Sequence, residues 1–351
     1  MADLHAAVDR LLKPKPVRVA AAVANITWDS EPASIGALTL AKVNEETDVR
    51  ELADTLKLDA RAEESLIEHA QQLLREFNGY VVATSTTDRQ GELATQDFER
   101  TFEDLIGLTL MLADDLGTHG VYSLRGATNR PGIRGVDLDR SAIVELLADH
   151  GSAELGASVL TITGWSSGNN FRWYSADPLP LDRILGADLR VVIDDLMTAP
   201  DAIAQRLRVA ARWYARAFWA EAQDDSALAV SVALDSMLTG KDAVPGAVSK
   251  SRFALLERDP AARGGRFERY EAVYQVRSAI AHGGDATRRL AQIGGARSML
   301  EDAHWVAMKL LELRGISTPA DEKQFRELWA AVQWGALDWA HPSGLGARDG
   351  G

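Results

Sequence analysis

From Pro200 to Leu313 the chain presents apolar residues at helical spacing with only short interruptions, and no other feature constrains its fold as strongly. Pro200-Asp201 opens a helix in which Ile203, Leu207, Ala210/Ala211, Tyr214 and Phe218 share a face. Asp224-Asp225-Ser226 is read as breaking it, and a second helix runs to Gly240. A third covers about 246–257, a fourth about 265–282, and a fifth runs from about 288 to Leu313, before Gly315. Helices of this length with short connections predict a compact bundle.

The first 195 residues read differently. Residues 17–28 and 35–43 predict strands joined by a turn containing Asp29, Ser30 and Pro32. Residues 60–77 predict an amphipathic helix with Leu66, His69/Ala70, Leu73 and Phe77 near one face. Residues 80–87 predict a strand. Residues 97–116 predict a helix with Phe98, Phe102, Leu105, Leu108/Thr109 and Leu112 inward. Residues 158–163 and 171–174 flank a Ser-Ser-Gly-Asn-Asn turn and predict a hairpin. The expected class is therefore α+β: a mixed α/β domain over 1–195, then an all-helical domain over 196–316. The last segment, 317–351, predicts a Trp-rich helix from Asp321 to Trp339 and a disordered Gly-rich tail. Trp329, Trp334 and Trp339 stand five apart, which fits no single helix face; one or two cover the core, and the remainder suits a dimer contact.

With 351 residues the chain is long enough for two cores. Its lack of cysteine excludes disulfides, thiolate metal sites and a cysteine nucleophile. No basic segment precedes an apolar run at the N-terminus, and no apolar stretch reaches membrane-span length, so a cytoplasmic protein with no membrane partner is expected. A net charge of −13 argues against a surface that wraps nucleic acid along its whole length.

The fourth helix carries Arg277 and, five residues on, His282, and stops at Gly283-Gly284. Arg277 is a permanent cation whose fork suits phosphate oxygens. His282 is the side chain best able to exchange a proton near neutral pH. On an ideal helix the two lie about 140° apart around the axis and about 7.5 Å apart along it. The glycine stop places His282 in the last turn, where geometry loosens, the macrodipole favours an imidazolium, and Asp285 is near in sequence. Spacing alone leaves two readings open. The pair can act on RNA, whose 2′-hydroxyl supplies the nucleophile without a metal or cofactor. Alternatively, Arg277 pairs with Glu271 or Glu268 and His282 caps carbonyls.

Three stretches narrow that choice: residues 211–219 followed by 229–238, residues 249–256, and residues 274–283. In order and spacing this region, about 200–315, resembles the HEPN superfamily, specifically its Apea-like branch. The resemblance implies a helical bundle that forms a homodimer, with two Arg/His motifs around one cleft. It further implies a metal-independent endoribonuclease of toxin, CRISPR-associated or antiphage (antiviral) defence systems, acting without cofactors and leaving a 2′,3′-cyclic phosphate. Other members have lost catalysis and serve as dimerisation or RNA-binding modules.

By that resemblance Arg277 and His282 are the catalytic residues, supported by Ser278 as the polar neighbour, while Asp285 is a supporting residue by its nearness in sequence to His282. Ser278 stands where many active members carry Asn, Asp or His, and Leu234-Asp235 stands at the family's Leu-Glu position. Between Arg263 and Arg297 seven arginines face three acids, an excess that includes Arg269, Arg288 and Arg289 as expected contacts to single-stranded RNA. The other reading of this charge is a solvated helix face. By analogy with defence proteins, the N-terminal domain is expected to act as a sensor or regulator.

Other patterns carry less. Gly164-Trp-Ser-Ser-Gly168 matches a nucleophile elbow, but a return strand, not a helix, is expected after it. The glycine-rich run 126–135 lacks the Gly-Lys-Ser/Thr ending of a phosphate loop and is read as a surface loop. The histidines show no metal-ligand spacing, and His304 is read as structural.

Overall fold

The computed structural model describes residues 17–42, 81–88, 92–113, 132–133, 143–146, 160–162, 178–239, 245–337 and 339. These form a sheet-bearing N-terminal unit and a helical C-terminal unit, an α+β arrangement. The second unit begins at Asp195 but also includes the end of α1 (Glu92–Leu112) from Ile106 onward.

In the first unit, β1 (Val17–Ala24) lies inside a seven-stranded sheet. The other strands of this sheet are β3 (Ala33–Ile35), β4 (Leu38–Lys42), β5 (Val81–Thr87), β6 (Gly132–Ile133), β7 (Ile143–Leu146) and β8 (Leu160–Ile162). The order is β3-β4-β5-β1-β7-β8, with β6 also pairing β1, and every pairing is antiparallel. Strand β1 runs against β5 from Val17↔Thr87 to Val23↔Val81. The segments expected to be sequential strands, 17–28 and 35–43, are therefore not neighbours, because β5 lies between β1 and β4. The reason is visible in β5, whose first five residues are all buried, as befits an interior strand. The β3–β4 hairpin turns through Gly36 at φ 59°, a left-handed conformation that favours glycine.

A short parallel pair joins β2 (Ile26–Thr27) to β9 (Leu179–Pro180), which leads into α2 (Leu181–Thr198). The Asp182 carboxylate accepts from the Asp29 backbone (2.9 Å) and the Ser30 hydroxyl (3.0 Å), and Asp194 accepts from the Gly36 backbone (2.6 Å). These bonds fasten α2 to the strand connections from its first turn and again from near its end. Helix α1 starts earlier than the expected 97 and buries Phe98, Phe102, Leu105, Leu108, Thr109 and Leu112 as its periodicity requires. The expected helix over 60–77, the serine-containing turn at 164–168, the strand over 171–174 and the glycine-rich tail all lie outside the described residues. Within the glycine-rich run 126–135, Gly132–Ile133 pair with β1 instead of lying in a loop.

The second unit contains α3 (Ala202–Trp219), α4 (Gln223–Leu238), α5 (Pro245–Leu255), α6 (Arg263–Ala281), α7 (Thr287–Gln292), α8 (Gly295–Ile316) and α9 (Glu322–Gln333). The predicted stripe of α3 is buried at every named position. Two boundaries differ from expectation. Asp224 and Asp225 do not break a helix; they occupy the first turn of α4, where acidic side chains complement the macrodipole. The fifth helix is two, because the chain turns at Ile293-Gly294 and Gly294 takes φ 86°. Helix α4 is central, packing against α3, α8, α6 and α5. Ala227, Val230, Ala233, Leu234 and Met237 bury its length, and small residues let its neighbours approach closely.

One end of the bundle, where α3 starts and α4 and α8 finish, is pinned by charge. Asp201 caps α3, accepting from Ile203 N (3.1 Å) and Ala204 N (3.0 Å), while its second oxygen accepts from Arg314 Nε (3.0 Å). Asp201→Ala removes a buried cap and leaves Arg314 with Asp195 alone. It is expected to cost about 2–4 kcal/mol in urea unfolding, with Asp201→Asn, which keeps the cap, costing less. At the C-terminus of α4, Arg206 donates to the carbonyls of Ser236 and Thr239, and Arg252 donates to that of Leu238 (2.7 Å). Both guanidiniums lie against the Phe325 ring of α9, and Arg206 also pairs with Glu322. Trp329 and Trp339 are buried, with Trp339 Nε1 donating to Leu255 O (2.9 Å), whereas Trp334 is 79% exposed.

Candidate functional site

The end of α6 is set by its glycines. Gly284 N donates to Ala279 O (2.8 Å) and Gly283 N to Ile280 O (3.0 Å), the pair of bonds that defines a Schellman motif. Gly283 takes φ 70°, which a side chain would oppose. His282 is thereby the C-cap residue: its backbone N donates to Ser278 O, and its imidazole lies on the exposed surface. No described hydrogen bond or ion pair uses that imidazole.

Arg277 sits one turn earlier, at the edge of the face through which Tyr270, Val273 and Val276 enter the core. Its Nη1 donates to Asp235 Oδ2 of α4, an ion pair in which the arginine side chain is 32% exposed and the aspartate 13%. The other carboxylate oxygen, Asp235 Oδ1, accepts from Tyr270 OH (2.9 Å) and Ser249 Oγ (3.0 Å). Three helices, α4, α5 and α6, thus meet at one carboxylate. Burial and the adjacent negative charge of Asp235 push the Tyr270 phenol far above its ordinary range, so it remains a protonated donor. Within-helix partners for Arg277 are not what forms: Glu271 is held by Lys250 and accepts from Gln275 Nε2 (2.8 Å).

The remaining candidates fall in different places. Ser278 is half-buried, and its carbonyl closes the last turn onto His282 N. Asp285 accepts from the Thr287 backbone (2.8 Å) at the start of α7, and hydrogen bonding from the Thr287 side chain, then from its backbone, holds the carboxyl below the usual range. Arg269 is committed inside the bundle: it donates to Asp302 (2.8 Å), Ile293 O (2.8 Å) and Ser298 Oγ (2.9 Å), bracing α6 against α8. Arg289 reaches back to Gln275 Oε1 on α6 (2.8 Å), and Arg288 is exposed. Of the other arginines in the basic run, Arg263 donates to Glu257 O and Arg266 to the Glu257 carboxylate, Arg266 also lying 3.9 Å over the Trp305 ring. Arg297 faces Glu301 at 3.5 Å. Much of the local positive excess is therefore spent on intrachain pairs.

His304 Nδ1 lies 2.9 Å from Met111 O, in line with a structural histidine. Among the described residues, no cluster of three or more His, Asp or Glu side chains could hold a metal ion, and no helix is long and apolar enough to cross a membrane. The residues that sequence reasoning missed are Tyr270 and Ser249, with Asp235 noted but not linked to Arg277. Tyr270 precedes Arg277 by two helical turns and so lies on nearly the same face. That register was the available signal. Comparison of the chain with protein-family models, with curated proteins and with solved structures finds no match.

Proposed function

We propose that the C-terminal unit is a HEPN-type, Apea-like module and that the protein is a metal-independent endoribonuclease of a defence system, acting as a homodimer. The observation that carries this reading is that one helix bears both a fixed, partly exposed Arg277 and, at its C-cap, an exposed His282. His282 would take the proton of an RNA 2′-hydroxyl, and the resulting oxygen would attack the adjacent phosphorus. The P–O5′ bond breaks, and the 5′-oxygen leaves with a proton from the second copy's His282 or from water. Arg277 from each copy would hold the non-bridging oxygens as negative charge grows. The in-line 2′-hydroxyl contributes the proximity term. The products are a 2′,3′-cyclic phosphate and a 5′-hydroxyl.

The test is incubation of purified full-length protein with mixed RNA in EDTA, followed by end-group analysis. Cleavage to cyclic phosphate ends is the expected result; cleavage that disappears with EDTA would overturn the metal-free mechanism. A second reading, a non-catalytic HEPN dimerisation or RNA-binding module, is favoured by the ion pair that ties Arg277 to Asp235 within the bundle. Under it His282→Ala leaves RNA binding unchanged and wild-type protein cleaves nothing.

A further inference from the structure

Asp235 lies away from any reacting atom in the scheme above, yet it is the described partner of the arginine on which that scheme depends. Its own position is over-determined. The backbone lies in the last turn of α4, whose terminal carbonyls are held by Arg206 and Arg252. The side chain is held through Oδ1 by a hydroxyl from α5 and a phenol from α6. Tyr270 is itself locked, 3% exposed with its ring 5.3 Å from that of Phe253. A carboxylate fixed by two neutral donors has one free oxygen with a set direction, and that oxygen receives Arg277 Nη1.

An arginine on an exposed helix face samples many rotamers, and restricting one costs entropy whenever it binds. Here that restriction is made during folding. Because among the described residues only Nη1 is engaged, the Nη2 and Nε edge of the guanidinium keeps donors for a phosphate. We infer that Asp235, clamped by Ser249 and Tyr270, is a positioning residue that presents the Arg277 guanidinium to the scissile phosphate. The inference rests on the ribonuclease reading for its function, although the clamp itself does not.

Electrostatics give this role a distinctive sign. Asp235 places a negative charge beside the site for an anionic phosphate. Neutralising it should, by charge alone, leave substrate binding the same or tighter and help the negatively charged transition state. A positioning role predicts the opposite for the chemical step. Misplacing a reacting or binding group by about 1 Å can cost about 10²-fold in rate. Asp235→Asn is therefore expected to lower kcat about 10²-fold with KM unchanged or reduced. The same substitution made in an Arg277→Ala background should change cleavage less than about twofold, because its effect passes through Arg277. Ser249→Ala and Tyr270→Phe each remove one tether and should produce smaller losses in kcat.

The experiment is this double-mutant cycle on the full-length protein, together with guanidinium NMR of Arg277, where hindered rotation about Cζ–Nη separates the Nη signals. Separate signals in wild type that merge in Asp235→Asn, with the kcat loss confined to the Arg277 background, are the expected result. An Asp235→Asn enzyme with full kcat, or an equal loss in the Arg277→Ala background, would overturn the positioning role while leaving the ribonuclease standing. Separate Nη signals in a wild-type protein that cleaves no RNA would overturn the ribonuclease reading and keep the clamp. Merged signals in the wild type would overturn the clamp itself. Should Asp235→Asn unfold, Tyr270→Phe supplies the same readouts with the charge retained.

Discussion

His282→Ala is expected to reduce RNA cleavage by about 10²–10⁴-fold or more while leaving the fold unchanged. General acid–base assistance by one side chain is typically worth about 10²–10⁴, and in the proposed homodimer the substitution removes both imidazoles at once. Stability should be spared because the turn is built by backbone bonds from His282 N, Gly283 N and Gly284 N, none of which needs the imidazole. Arg277→Ala should also depress cleavage, by about 10²–10³-fold if it stabilises transition-state charge. That variant differs in kind, since it strips the partner from a mostly buried Asp235 and should lower stability as well. Cleavage, melting temperature and RNA binding measured on both variants separate the two roles. Cleavage by His282→Ala at the wild-type rate would exclude His282 as the proton-transfer group.

Much of the helical unit was legible because its signals are local. The stripe Ile203, Leu207, Ala210/Ala211, Tyr214 and Phe218 is the buried face of α3, and Gly283 ends α6 where its positive φ demands. Errors arose where a local signal had two meanings. Asp224-Asp225 can interrupt a helix or begin one, and only the burial of Ser226 and Ala227 behind them shows which. The single expected helix over 288–313 hid a turn because Ile293-Gly294-Gly295 differs from a tolerated glycine pair only by the left-handed backbone at Gly294 and Gly295. Strand order was illegible in the same sense. Nothing in residues 17–43 announces that residues 81–87 will lie between them, since that choice is made by long-range pairing.

In the candidate site, the chain order marked Arg277 and His282 as candidates but concealed what holds Arg277. Asp235 is forty-two residues from Arg277, and its link through Oδ1 to Ser249 and Tyr270 exists only once α4, α5 and α6 have packed. The charge count over 263–297 had a parallel weakness. It could not distinguish Arg269, used up between α6 and α8, from Arg288, which is exposed.

Gly107→Ala should destabilise the helical unit by about 3 kcal/mol or more, although glycine-to-alanine in a helix interior ordinarily stabilises by about 1 kcal/mol. A Cβ on Gly107 would lie 2.5 Å from the Ala211 carbonyl carbon and against its oxygen, so the added methyl meets rigid backbone of α3, not a yielding side chain. The close approach is continued by His304, whose Nδ1 reaches the carbonyl of Met111 one turn further along α1. Gly265→Ala in α6 is the matched control: nothing lies within 4 Å of its added Cβ, so it should gain about 0.5–1 kcal/mol. Urea unfolding followed by tryptophan fluorescence measures both. Opposite signs at the two sites would establish that the end of α1 is part of the bundle. The same packing bears on truncation. A fragment beginning at residue 196 discards both Gly107, which lies against Ala211 of α3, and Met111, whose carbonyl meets His304 of α8, so it is expected to melt lower than the intact unit. Equal stabilisation by both alanines would show instead that α1 and α3 are not in contact at Gly107.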